Sequence, residues 1–188
     1  ITATSATLTA EDSNDSGDTI GDGANALRTF VDALTVTTSA GSTAGAQFLL
    51  EDNGLTALNL NAGAAAITLT LTRGSLFDSD ADTDITAGRL LVTLLDGDDA
   101  GDDVGTQSNA IQTSVSDLTV ITDAGSVHGD QYLLEVNGLT QLALNAGTAN
   151  VTLTVSDGNL EDSDTNQDVL GTSATIQLNG TNTSVGTA

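Results

Sequence analysis

The chain contains no cysteine, proline, methionine, tryptophan or lysine. Without cysteine there is no disulfide framework and no thiol chemistry. Cations are almost missing as well: Arg28, Arg73 and Arg89 stand against 26 acidic residues, and the net charge is −23. Phosphate backbones are held by clustered lysine and arginine, so nucleic-acid binding is excluded on electrostatic grounds. The same charge argues against anionic membrane surfaces. Aromatic residues are scarce, with only Tyr132, Phe30, Phe48 and Phe77. A thick core built on ring anchors is therefore not available. No apolar run is long enough to cross a bilayer as a helix, so no membrane-spanning helix is expected. The chain opens at Ile1 without methionine or a secretory leader, which is read as a processed chain or a piece of something longer.

What the chain has in abundance is itself. Asn25, Leu34, Gly41, Asn53, Gly63 and Asp80 return 84 positions later as Asn109, Leu118, Gly125, Asn137, Gly147 and Asp164. From Ile20 to Ala87 the copies align without a gap, and Thr4-Ser-Ala-Thr-Leu8 returns 168 positions on as Thr172-Ser-Ala-Thr-Ile176. The organisation expected is a partial repeat over 1–19, repeat 1 over 20–103 and repeat 2 over 104–187. Residues 169–188 are in the phase of 1–19, and the whole forms one continuous solenoid. Units of this kind bury their apolar faces against their neighbours.

Strand signals dominate. Ile67-Thr-Leu-Thr-Leu-Thr72 and Val151-Thr-Leu-Thr-Val155 alternate with period two, as do Leu34-Thr-Val36 and Leu58-Asn-Leu60. Recurrent glycines read as turns needing positive φ. Cutting one period at its glycines gives the segments 20–41, 42–63, 64–88 and 89–103, close to the length of a solenoid coil. The expectation is an all-β parallel β-helix, a β-solenoid whose 84-residue repeat makes about four coils, rising roughly 19 Å per repeat. The alternative is a row of tandem immunoglobulin-like β-sandwich modules, which short strands between turns would also fit. A sandwich core about 10 Å thick usually takes aromatic anchors, which this chain lacks. Leu34, Val36, Leu50, Leu58, Leu60, Ile67, Leu69 and Leu71, with their counterparts, are expected to point inward.

The phrases Ile20-Gly-Asp-Gly-Ala-Asn-Ala-Leu27, Val31-Asp-Ala-Leu-Thr-Val36, Asn53-Gly-Leu-Thr56 and Ala66-Ile-Thr-Leu-Thr70, with their second copies, resemble the repeats of large filamentous-haemagglutinin-like exoproteins. That resemblance implies a right-handed parallel β-helix, secretion, and a role as a giant bacterial surface repeat protein, fibre or adhesin. No secretion domain of that family is seen in this sequence.

Asp78-Ser-Asp-Ala-Asp-Thr-Asp84 and its echo Asp162-Ser-Asp-Thr-Asn-Gln-Asp168 are the sharpest local motifs. Oxygens at alternating positions can converge on a hard cation, so Asp78, Asp80, Asp82, Asp84, Asp162, Asp164, Asn166 and Asp168 are the candidate metal ligands, with Ca²⁺ as the cofactor. Thr83 and Gln167 stand where an EF-hand loop needs glycine, so the match is partial, and a solvated polar loop is the competing account. Acidic clusters at Glu11–Asp15 with Asp18, and at Asp96–Asp103, share a phase of the repeat and are expected to stack on one side. They read as weaker sites.

Other signals point away from chemistry. Thr68, Thr70 and Thr72 match Thr152 and Thr154, but the row that an ice-binding face needs is not continued between them. His128, the one histidine, is replaced by Ala44 in the first copy and reads as surface decoration. The arginines have counterparts Gln112, Asp157 and Ser173, so the repeated carboxylate–arginine set of a glycan-cleaving solenoid is missing. The sequons at Asn150, Asn179 and Asn182 are expected by chance in a threonine-rich chain. The function expected is non-enzymatic: a structural segment of an extracellular fibre, surface layer or giant adhesin, continuing head-to-tail. The partners expected are copies of itself or flanking repeats, with a glycan or other surface ligand as a further candidate. The alternative is a calcium-dependent adhesive module made of tandem sandwiches.

Overall fold

The computed structural model describes residues 1–14, 16–181 and 183–186, so Asp15 of the first acidic cluster and the Asn182 sequon lie outside the described residues. Its fifteen strands are β1 (Ser5–Thr9), β2 (Leu27–Thr29), β3 (Ala33–Thr37), β4 (Gln47–Glu51), β5 (Ala57–Asn61), β6 (Ala66–Leu71), β7 (Ile85–Thr86), β8 (Arg89–Leu94), β9 (Ile111–Ser114), β10 (Asp117–Ile121), β11 (Gln131–Glu135), β12 (Gln141–Asn145), β13 (Asn150–Val155), β14 (Val169–Leu170) and β15 (Ser173–Leu178). The odd-numbered strands form one parallel sheet of eight and the even-numbered strands a second of seven, each in sequence order. Every successive strand therefore crosses to the other sheet, and two strands make one coil of a β-solenoid about seven turns long. Both sheets are parallel throughout, so tandem antiparallel sandwiches do not form.

Seven strands separate each residue from its copy: β1 maps to β8, β3 to β10, β6 to β13 and β8 to β15. Seven strands are three and a half coils, not four, so the average coil is longer than the glycine-based division implies. The repeat rises about 17 Å at 4.8 Å per coil. An odd strand number also moves every residue's counterpart to the opposite sheet. Only the 168-residue shift returns to the same sheet, and the shared phrase of Thr4–Leu8 and Thr172–Ile176 supplies β1 and β15, its two outermost strands. Register shows why the division gave too many coils. The segments 20–41, 42–63 and 64–88 each hold two strands and so make one coil apiece, whereas 89–103 holds β8 alone, half a coil. Coil length also varies, since Gln47 lies beside Ile67 whereas Arg89 lies beside the more distant Asp117.

The core consists of aliphatic columns running along the axis. In the odd sheet Leu8, Val36, Leu60 and Ile85 stack in register, and in the even sheet Leu49, Leu69, Val92, Val120 and Leu144 do. Full burial of such side chains is worth roughly 1.5–3 kcal/mol each. Seven of the eight named inward positions in repeat 1 are buried. Leu50 is the exception, as is its copy Leu134: both face outward and are half-buried, while Leu49 and Leu133 point in. Strand parity decides this, because an inward Leu49 puts Gln47 and Glu51 inward as well. The apolar pair Leu49-Leu50 conceals that phase.

Glu51 is paired inside through both carboxylate oxygens, and Gln47 through its amide nitrogen alone, its Oε1 accepting nothing. Thr29 Oγ1 donates to Glu51 Oε2 at 2.5 Å and the Val31 amide donates to Oε1 at 3.1 Å. Across the half-turn, Thr113 Oγ1 donates to Glu135 Oε2 at 2.6 Å and the Val115 amide to Oε1 at 3.3 Å. Gln47 Nε2 donates to Val36 O at 3.2 Å and Gln131 Nε2 to Val120 O at 3.2 Å, tying one sheet to the other. Buried polar groups paired in this way rigidify a narrow core.

Candidate functional site

Wherever the chain crosses between sheets it makes a turn, and the acidic motifs occupy the longest of these. Asp78, Asp80 and Asp84 bring one carboxylate oxygen each within 4.8 Å of one another, and so do Asp162, Asp164 and Asp168. Asp82 lies outside the first group, and Asn166 takes its place in the second turn. Their amides donate to Asp80 Oδ1 (2.8 Å) and Asp164 Oδ1 (2.7 Å), closing tight Asx turns that leave their own side chains exposed. A third group, Asp96, Asp98 and Asp102, converges in the same way. All three share the spacing Asp-x-Asp-x₃-Asp, and Asp12, Asn14 and Asp18 repeat it with an asparagine in the middle. That shared spacing was the available signal, masked by the extra Asp82.

The half-turn places these loops differently from the expectation. The Asp12 loop follows an odd strand and the Asp96 loop an even one, so they lie on opposite edges and do not stack on one side. The Asp78 and Asp96 loops, on consecutive coils, share one edge. The Asp162 loop lies on the other edge with Asp12. The threonine sets separate for the same reason: Thr68 and Thr70 face out from the even sheet, Thr152 and Thr154 from the odd one.

The three groups are not chemically alike. Asp78 and Asp84 are buried, and their oxygens brace three successive coils. Leu58 N donates to Asp78 Oδ1 at 2.8 Å from the coil before, and Gln112 N donates to Asp84 Oδ2 at 2.7 Å from the coil after. Burial, with Asp78 and Asp80 beside it, pushes the Asp84 carboxyl up to about 7. In the second copy Asp162 and Asp168 are half-buried and Asp164 exposed, and Leu142 N reaches Asp162 Oδ1 only at 3.4 Å. Desolvation and its two acidic neighbours still raise Asp168, while the Asn166 amide lowers Asp164.

In the third group Asp96 has a positive φ of 48° and folds the loop back on itself. Its Oδ1 accepts the Ala100 and Gly101 amides at 2.8 and 3.1 Å, and its Oδ2 accepts Val127 N at 3.1 Å from the next coil. Asp102 is buried, 4 % exposed, and its Oδ2 has no hydrogen-bond partner. Burial, then the charges of Asp98 and Asp96, push Asp102 up to about 6. Coil-to-coil approach is very close here: a Cβ on Gly129 would sit 1.8 Å from Asp102 O, and one on Gly45 2.0 Å from Asp18 O. These glycines are required by contact and not, as expected, by positive φ. His128 is also more than decoration, since its Nδ1 accepts Thr148 N at 2.8 Å and ties its turn to the next coil.

No cation balances these carboxylates from within. The single ion pair among the described residues is Arg28–Asp52 at 2.8 Å, away from all three groups. No protein-family model, curated protein or solved structure matches the chain. The resemblance to filamentous-haemagglutinin-like exoproteins therefore rests on the repeat phrases alone.

Proposed function

We propose that the chain is a structural segment of an extracellular or cell-surface fibre, surface layer or giant adhesin, extended head-to-tail by flanking repeats or by further copies of itself. One observation carries this reading: the two ladders run unbroken along the axis, and their outermost strands leave both the backbone edge and the aliphatic columns open. At one end Ile176 and Val185 are 39 and 71 % exposed, around a hollow of about 360 Å³, and Leu170 beside it is 41 % exposed. At the other end Ile1 and Phe30 are 50 and 47 % exposed. An unpaired parallel edge backed by apolar side chains is a template for another coil, and a contact between two different ends does not close, so it builds filaments. The work done is mechanical. Inter-coil hydrogen bonds and the stacked columns resist bending, and the surface charge keeps the rod in solution.

The test is length. Appending one 84-residue repeat should lengthen the particle by about 17 Å as a straight rod, seen by small-angle scattering and electron microscopy. The 188-residue chain at rising concentration should add steps of about 34 Å, and Ile176→Asp should suppress those steps. A chain that stays monomeric at millimolar concentration, together with an appended repeat that hinges away from the axis, would overturn the reading.

A further inference from the structure

We propose that Asp96, Asp98 and Asp102 form a divalent-cation site, with calcium the cation best matched to it, on the edge of the solenoid where β8 passes to β9. The inference does not depend on the fibre reading, since it concerns one turn and not the ends of the rod.

Geometry is the first support. Three carboxylate oxygens within 4.8 Å of one another lie within about 2.8 Å of a common point, so a shift of a few tenths of an ångström brings all three to the usual calcium–oxygen distance of about 2.3–2.6 Å. The backbone explains the convergence: Asp96, itself left-handed (φ 48°), opens a turn that carries Asp98. The left-handed Asp99 (φ 56°) and Gly101 (φ 74°) then reverse the chain and bring Asp102 back. The second support is the orphan oxygen. Asp102 is more than nine-tenths buried, is grouped with Asp96 and Asp98, and has an Oδ2 that accepts nothing. A buried carboxylate oxygen without a donor is costly unless a cation faces it.

The other two groups do not make the same case. Neither of them leaves a carboxylate oxygen buried without a partner, and the Asp162 group is open to solvent. Asp98, in contrast, is exposed at the mouth of its turn, where water can complete the six to eight ligands calcium takes. The turn is joined to the next coil through Asp96 Oδ2 and the Val127 amide, and through Ser126 Oγ and Asp99 Oδ1. A cation bound here fixes two successive coils at their edge.

The test is calorimetric titration of CaCl₂ into the chelator-treated 188-residue chain in 0.15 M NaCl, a salt level that screens diffuse counter-ion binding. The dissociation constant expected is about 10⁻⁴–10⁻³ M, as in extracellular calcium modules. Asp98→Asn, at an exposed position that leaves the core alone, should weaken one class of site tenfold or more, and Asp102→Asn should do the same. Calcium should also shift the amide resonances of Gly101, Gly125 and Val127 in the parent chain and not in Asp98→Asn. An isotherm unchanged by Asp98→Asn, calcium binding confined to the Asp78 or Asp162 turns, or no binding up to about 10 mM would each overturn the proposal.

Discussion

Repeat 1 and repeat 2 place corresponding residues on corresponding strands, yet they look out in opposite directions. Glu51 is buried in the even sheet and Glu135 in the odd one; the Asp78 turn lies on one edge and the Asp162 turn on the other. Each makes the same internal bonds, to Thr29 or Thr113, because a two-sheet coil looks alike from either sheet. The lesson is that a solenoid repeat need only contain a whole number of strands, not of coils. An odd number produces a two-fold screw, and any surface feature written once per repeat then alternates between faces about 17 Å apart along the axis.

The two copies also differ in cover, and the largest effects should come from there. Leu69 lies between Leu49 and Val92 in the middle of its sheet, whereas Leu153 lies between Leu133 and the half-open Ile176 of the outermost strand. Both truncations to alanine should cost about 2–5 kcal/mol, with Leu69→Ala at the upper end because its surroundings are held on both sides. Urea midpoints of the two variants measure this. If the copies were equivalent the midpoints would coincide, and adding one further coil after β15 should bring them together.

A smaller effect is expected at the buried glutamates. Thr29→Val and Thr113→Val each delete the hydroxyl donor to a carboxylate shielded from water, at a cost of about 1–3 kcal/mol. Equal losses in thermal denaturation would show that the half-turn leaves the interior unchanged. A loss at one site only would mean that one carboxylate has an alternative donor.

These interior pairs mark the limit of what the sequence discloses. Strand phase was legible wherever apolar residues alternate singly with threonine or asparagine, as in Ile67–Thr72. It was not legible at Gln-Phe-Leu-Leu-Glu, where hydropathy favours turning Phe48 and Leu50 in, and only pairing with Ile67, Leu69 and Leu71 settles the matter. The coil count had the same difficulty: coils of unequal length carry no fixed period, so the strands have to be counted in space. Among the acidic residues, Asp78, Asp80, Asp84, Asp162, Asp164 and Asp168 were found because they alternate. The Asp96–Asp103 stretch was legible only as a weaker acidic cluster, since which three of its carboxylates converge depends on the backbone reversal at Asp99 and Gly101.

Acidity separates Glu135 from the exposed carboxylates. Burial pushes it from 4.5 up to about 7, and its partners are a hydroxyl and main-chain amides, none of them charged. The folded state therefore holds a proton that the unfolded chain releases near pH 4.5. The stability this contributes is fully present below pH 4.5 and is lost as pH rises through 7. Stability of the chelator-treated chain, followed by its melting temperature, should fall between pH 4.5 and 7.5, with a free-energy slope of at most about 1.4 kcal/mol per pH unit for this one group. Glu135→Gln should flatten the slope, with Asp84 and Asp102, raised for the same reason, retaining part of it. A slope untouched by Glu135→Gln would mean that the glutamate stays ionised inside the coil.

The smallest difference is one that only repeat 1 possesses. Arg28 clasps Asp52 through Nε at 3.0 Å and Nη2 at 2.8 Å, and the second copy replaces the pair by Gln112 and Val136. The guanidinium side chain is 65 % exposed, so water and salt screen the pair, and Arg28→Ala should have the smallest cost of these changes. The effect should vanish in 1 M NaCl, where the screening length falls to about 3 Å. Asp52 has a second role, because its main-chain oxygen accepts Arg73 Nε at 2.9 Å whatever happens to its carboxylate. Asp52→Val, which copies repeat 2, should therefore cost no more than Arg28→Ala, and the double change should match the larger of the two singles. A double variant markedly worse than either would show that the outer faces, unlike the columns beneath them, are not interchangeable between copies.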